Sequence, residues 1–185
     1  MKDLLDIIKQ RQSVRKYSNQ PVEKDKILQC LEAARLAPSA RNAQPWKFVV
    51  VDNAEVKNKI AKAATSPLLP VLNKHLFKAP VIIAVVIEPP KIATPAQIIS
   101  WLDNRELPLI DIGITTEHFC LQATELGLGT CIVGWFDEQK VKKILAVPKR
   151  QQVGLLITLG YPKDGYEVHK KNRKDIGEIS SFNKY

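Results

Sequence analysis

Residues 81–87 read VIIAVVI, seven apolar residues with no polar residue to break the run. A strand with one wet face alternates apolar and polar side chains, and an amphipathic helix repeats its apolar positions every three or four residues. This run does neither. An unalternated apolar stretch of that length reads as a strand buried within a sheet, so the chain has to build its core around one.

Three more segments read as strands: WKFVVV (46–51), TCIV (130–133) and VGLLITLGY (153–161). The helices follow from spacing and stop signals. Residues 3–11 predict a short amphipathic helix, with Asp3 in capping position and Leu4, Leu5, Ile7 and Ile8 on its apolar side. Residues 22–36 predict a second, with Ile27, Leu31 and Ala34 recurring on one face. Pro38 ends it, because the residue before a proline avoids the α region. Residues 54–64 also look helical. The clearest helix spans 111–126, where Ile112, Thr116, Phe119, Ala123 and Leu126 advance by fours and threes and Gly127 supplies the stop. Asp137 caps a further helix through Leu145, with Val141, Ile144 and Leu145 inward, and Pro148 closes it. Proline-rich stretches at 67–70 and 89–95 read as loops, and the polar residues 162–185 as an extended surface segment. Without regular βαβ alternation, an internal repeat or a linker, the expectation is one α+β domain over 1–185. In it a layer of helix packs on a largely antiparallel sheet, with the helices at 22–36 and 111–126 at its centre.

The bulk numbers exclude several classes. No apolar run is long enough to span a membrane, and the start MKDLLDIIKQ lacks the apolar core of a signal peptide. Cys30, Cys120 and Cys131 are odd in number and widely spaced, which argues against a disulfide framework or a zinc site and for a reduced, cytoplasmic protein. The net charge of +9 raises nucleic acid as a partner. The lysines are largely scattered, however, and the cluster HKKNRK (169–174) has no interleaved aromatics on which bases could stack. Neither nucleic acid nor a membrane is expected as a partner.

Two stretches draw attention as chemistry. RQSVRKYSNQPV (11–22) packs Arg11, Arg15 and Lys16 around Ser13 and Tyr17 with no acidic residue among them, an arrangement suited to an anion. APSARNAQPWKF (37–48) combines small residues, which let a flat ligand come close, with the amides of Asn42 and Gln44, which can read the edge of a heterocycle. There is no GxGxxG and no P-loop. His75, His118 and His169 show no ligand spacing for a metal, and no serine sits in a GxSxG context. If the chain is an enzyme, a bound cofactor carries its chemistry.

RQSVRKY, APSARNAQPWKFVVV, ATELGLGTCIVGWFDEQKVKKILAVP, LITLGYP and KKNRK occur in that order from about residue 5 to residue 174. Together they resemble the nitroreductase family of FMN-dependent oxidoreductases. The resemblance implies an α+β homodimer with two shared FMN sites. Arg11, Gln12, Ser13 and Arg15 match its N-terminal flavin motif, with Arg15 as a cation that favours the reduced ring. Pro38, Ser39, Ala40 and Asn42 match the loop that reaches the flavin, largely from the partner. Ile132, Val133, Gly134 and Trp135 match the segment beside the isoalloxazine ring, and Lys171 and Arg173 the basic pair near the phosphate. Trp135 and Arg41 are bulkier than the pattern. The implied activity is ping-pong transfer from NADH or NADPH to a nitro compound, quinone or similar acceptor, with no catalytic side chain and no metal. A non-catalytic flavin carrier and a specialised flavin dehydrogenase are the alternatives.

Overall fold

In the computed structural model, which describes residues 3–65, 72–89 and 107–185, the run at 81–87 is strand β2 (Val81–Ile87), buried along its whole length. On one side it pairs with β1 (Trp46–Val51) and on the other with β4 (Gln152–Gly160), and β3 (Gly129–Val133) lies at the outer edge beyond β4. All three pairings are antiparallel. The described helices are α1 (Leu4–Gln10), α2 (Lys24–Arg35), α3 (Ala54–Ala63), α4 (Leu107–Glu125), α5 (Glu138–Ile144) and the single turn α6 (Ile176–Ile179). The loop expected at 67–70 lies outside the described residues, as does 89–95 apart from Pro89.

β2 lacks alternation because both of its faces are covered. Val81, Ile83, Val85 and Ile87 share a buried cluster with Ile27 and Cys30 of α2 and Ile112 and Phe119 of α4. Ile82, Ala84 and Val86 join the opposite cluster, with Ile60 of α3 and Val141 of α5. The α+β class and the antiparallel sheet match the expectation. The helices, however, lie on both faces of the sheet and not in one layer, since a single layer would leave half of β2 in water.

Local signals explain most of the boundaries. Gly127 takes φ 76° and turns the chain out of α4, and Leu128 N donates to Ala123 O at 2.8 Å. Asp137 caps α5 through Lys140 N, as its position suggests. Asp3 sits at the N-cap of α1, but its side chain makes no capping bond. Asn53, which the sequence reading passed over, is the stronger cap, accepting from Glu55 N at 3.0 Å and Val56 N at 3.1 Å. Asn53→Ala is expected to lower stability by about 1 kcal/mol, measured by urea denaturation.

Among the described residues, the apolar side of α1 is left largely uncovered. α1 leaves Leu4, Leu5 and Ile8 exposed at 62%, 53% and 45%, so the apolar side predicted for this helix faces outward. The segment 162–185 is mostly exposed, and its one helical turn is closed by a capping box between Asp175 and Glu178.

Candidate active site

The stretch beginning at Arg11 leaves the C-terminal end of α1 and runs along the free edge of β3. Val14 N donates to Thr130 O at 2.8 Å, and Ser13 bridges Thr130 in the parallel sense. Gly129 permits this approach, since a Cβ there would lie 2.6 Å from Val14 Cγ2 and 2.7 Å from Val14 Cβ. The buried Tyr17 locks the segment from below. Its hydroxyl donates to Val14 O at 2.7 Å and pairs with Thr158 Oγ1 at 2.6 Å. Burial pushes that hydroxyl far above the usual tyrosine range, so it stays protonated.

The end of the chain folds back over the same segment. Gln12 Nε2 donates to Glu167 O at 3.0 Å and Gln12 Oε1 accepts from His169 N at 3.1 Å. Arg15 N donates to Tyr166 Oη at 3.3 Å. Lys171 Nζ donates to Ile8 O at 3.0 Å and to Lys9 O, which caps the last carbonyls of α1. An ammonium has three donors, so one remains. Burial lowers the Lys171 pKa, and the positive charges of Arg11 and Arg173 push in the same direction, opposed by Glu117. Arg11 Nε stands 3.6 Å from Glu117 Oε1. Three cations from opposite ends of the chain thus share one neighbourhood with a single carboxylate.

Arg15 lies at the other end of this array. Burial raises the pKa of the Cys131 thiol, while the Arg15 charge and the Ser13 hydroxyl oppose the shift, which places that thiol beside both groups. Arg15 also adds to the burial that pushes His75 down to about 4. His75 belongs to the short turn Lys74–Lys78. Two residues before it, Asn73 Nδ2 holds Trp135 O and Ala64 O, each at 2.9 Å. In the segment Ile132–Trp135, Val133 is buried, whereas Ile132 and Trp135 are exposed at 41% and 52%. A Cβ on Gly134 would meet nothing within 4 Å, so the strand end is open there.

The loop at 38–42 is anchored elsewhere. Ala40 N donates to Asp111 Oδ1 of α4 at 3.1 Å, and burial raises the Asp111 pKa. Ser39 Oγ accepts from Gln44 N at 2.9 Å, and Asn42 N donates to Ser39 O at 3.0 Å. Arg41, Asn42 and Gln44 all have positive φ, which bends the loop tightly. The structure therefore sets Ser13 against the edge of β3 with Arg15 near Cys131 of that strand, holds Gln12 to the backbone of Glu167 and His169, and brings Arg11, Lys171 and Arg173 together at the C-terminal end of α1. Ser39, Ala40 and Asn42 make their bonds within the loop and to α4. Glu117, Tyr166, Asp111, Asn73 and His75 were not singled out for the site by sequence. The hydroxyl contacts of Tyr166 span more than 150 positions, and no local pattern reports them.

The Nitroreductase family model matches residues 8–161. A protein of Archaeoglobus fulgidus, provisionally named an NADH dehydrogenase/NAD(P)H nitroreductase, is 32% identical over 92% of this chain and 91% of its own length. The crystal structure of a nitroreductase family protein from Clostridium difficile superposes with a TM-score of 0.81 at 29% identity, covering 100% of both chains. A second structure from that organism, described as an FMN-dependent nitroreductase, gives a TM-score of 0.77 at 26% identity over 98% of this chain and 99% of that one. Matched along nearly its whole length in sequence and in fold, the chain belongs to the nitroreductase family.

Proposed function

We propose that the protein is an FMN-dependent oxidoreductase that draws electrons from NADH or NADPH and delivers them to a small acceptor such as a nitro compound or a quinone. The observation that carries this reading is the convergence of Arg11, Lys171 and Arg173 around one carboxylate. A phosphate monoester carries a charge of roughly −1.5 to −2 at neutral pH, and guanidinium forks suit its oxygens. The donor set fits the phosphate of FMN. The FMN-dependent relative from C. difficile supports the same choice.

FMN, when bound, supplies the two-electron chemistry, with donor and acceptor using one slot in turn. The chain's own groups hold and tune it. Arg11, Lys171 and Arg173 bind the phosphate, and Gln12 and Ser13 line the path inward. Arg15 is a fixed cation that favours negative charge on the ring. Ile132, Val133, Gly134 and Trp135 form the wall beside the ring. Titration should show FMN bound in preference to riboflavin, and NADH or NADPH should bleach the yellow protein. Equal affinity for the two flavins, or a colour that neither nucleotide bleaches, would refute this assignment.

The active unit in this reading is a cytoplasmic homodimer in which Pro38, Ser39, Ala40 and Asn42 serve the partner's site. The uncovered Leu4, Leu5 and Ile8, beside a groove lined by Ile7, Leu36 and Leu121, support it. The segment 162–185 gains its cover on the partner. One variant would carry Arg11→Ala and Arg15→Ala, and the other bulky changes at Ser39 and Ala40. Each should be inactive alone, and co-expression should restore FMN at about half the sites of the heterodimer. A purified heterodimer without FMN, or a monomer that binds it tightly, would overturn the shared site.

A further inference from the structure

Asp111 stands out among the buried ionisable groups. It is 4% exposed, and carboxylates are almost never buried unless paired. The partner that the structure gives it is a backbone amide, Ala40 N at 3.1 Å, 71 positions away. Asp111 heads a line of polar side chains along one face of α4. Four residues on, the buried Thr115 Oγ1 donates to Ala34 O at 2.7 Å, and three further on His118 Nδ1 stands 3.3 Å from Ala33 O. That line grips the end of α2, and Asp111 extends the grip to the loop that follows. The loop is bent enough to need it. Arg41, Asn42 and Gln44 take φ of 53°, 54° and 47°, and side chains in that left-handed region persist only where their surroundings over-determine them. The bonds from Asn42 N to Ser39 O, from Gln44 N to Ser39 Oγ and from Gln44 Nε2 to Asn42 O close within the loop and fix its shape. The bond to Asp111 fixes where that shape sits on the body of the protein.

We infer that Asp111 is a positioning residue for the flavin site of the partner subunit, because its carboxylate holds Ala40 N and so aims the bent backbone of Ser39, Ala40 and Asn42 at that site. The assignment rests on the shared-site reading above and adds to it a residue that itself touches no ligand. It also fixes which site Asp111 serves. A defect at Asp111 falls on the partner's cofactor, as a defect in the loop does, and leaves intact the site built on the Arg11 and Arg15 of its own chain.

The experiment compares the full-length wild type with Asp111→Leu and Asp111→Asn. Leucine keeps the bulk and removes the acceptor, whereas asparagine keeps a carbonyl oxygen for Ala40 N. Each protein is titrated with FMN, and the flavin-free forms are melted. Asp111→Leu should bind FMN about tenfold more weakly, and Asp111→Asn should stay within about threefold of wild type. Asp111→Leu is then co-expressed with the variant carrying Arg11→Ala and Arg15→Ala, and the purified heterodimer should bind FMN at half of its sites with wild-type affinity. Unchanged affinity in Asp111→Leu would overturn the assignment, as would an Asp111→Asn protein as weak as Asp111→Leu. A leucine variant that is unfolded without flavin would show a packing role and overturn it too. A heterodimer with no site of wild-type affinity would place the effect of Asp111 in the site of its own chain, against the assignment. The heterodimer with bulky changes at Ser39 and Ala40 is the control. If it also lacks a wild-type site, the shared-site reading itself fails, and this assignment with it. If it has one and the Asp111→Leu heterodimer has none, only the assignment falls.

Discussion

Arg11→Ala combined with Arg173→Ala is expected to weaken FMN binding about a hundredfold and to leave riboflavin affinity within about threefold of wild type. A hydrogen bond to a charged group contributes about 1.5–3 kcal/mol, and two of them would give 3–6. Solvent screening at an open site brings the result toward the lower end. Two features of the cluster keep the effect large. Glu117, which faces Arg11 at 3.6 Å, would remain near the phosphate with Lys171 as its remaining counter-charge. Lys171 offsets the loss only in part, because two of its three donors are already bonded to Ile8 O and Lys9 O. Isothermal titration of the variant with both flavins decides the matter. A parallel loss for FMN and riboflavin would mean that the two arginines shape the site without contacting phosphate.

Gly129→Ala should cost stability and cofactor together. The new methyl would sit 2.7 Å from Val14 Cβ, an atom fixed to the backbone and unable to swing aside. The N-terminal segment then has to move off β3, giving up the 2.8 Å bond from Val14 N to Thr130 O. Overpacking of this kind costs roughly 1–3 kcal/mol, which lowers the melting temperature by about 2–4 °C per kcal/mol in a chain of this size. Ser13 and Arg15 move with the segment, and a displacement of about 1 Å at a reacting centre costs on the order of a hundredfold in rate. Gly154→Ala is the control, because its methyl would meet Ile112 and Ile87 at an ordinary 3.5 Å. If Gly129→Ala melts with the control and keeps its turnover, the close approach does not position the site.

The sheet was legible in the sequence because burial writes itself into strands. The bounds expected for β1 and β2 are those observed, β3 begins one residue earlier than expected, and β4 is shifted by one residue at each end. α4 begins at Leu107 and not at 111, with Pro108 in its first turn, where a missing N–H breaks no helical bond. α6 escaped notice because a four-residue turn has no periodicity to read. The cation cluster was half legible. Composition marked the basic stretches 11–16 and 169–174, but only the resemblance suggested that they act on one ligand. The anchor of the 38–42 loop was not legible at all. Asp111 on α4 meets Ala40 across 71 positions, and nothing beside either residue announces the other.

The lacing of Gln12 to Glu167 and of Lys171 to Ile8, across 155 and 163 positions, has a consequence for how the protein is made. Chains leave the ribosome at about 5–20 residues per second, so the N-terminal segment waits roughly 8–30 s for the residues that close over it. The four strands are complete once Gly160 has been synthesised, before that closure begins. Nascent protein therefore owns a finished sheet before residues 166–171 close over the N-terminal segment, and under the proposed function FMN is acquired only after that closure. A message cut short after residue 165 should yield folded but colourless protein.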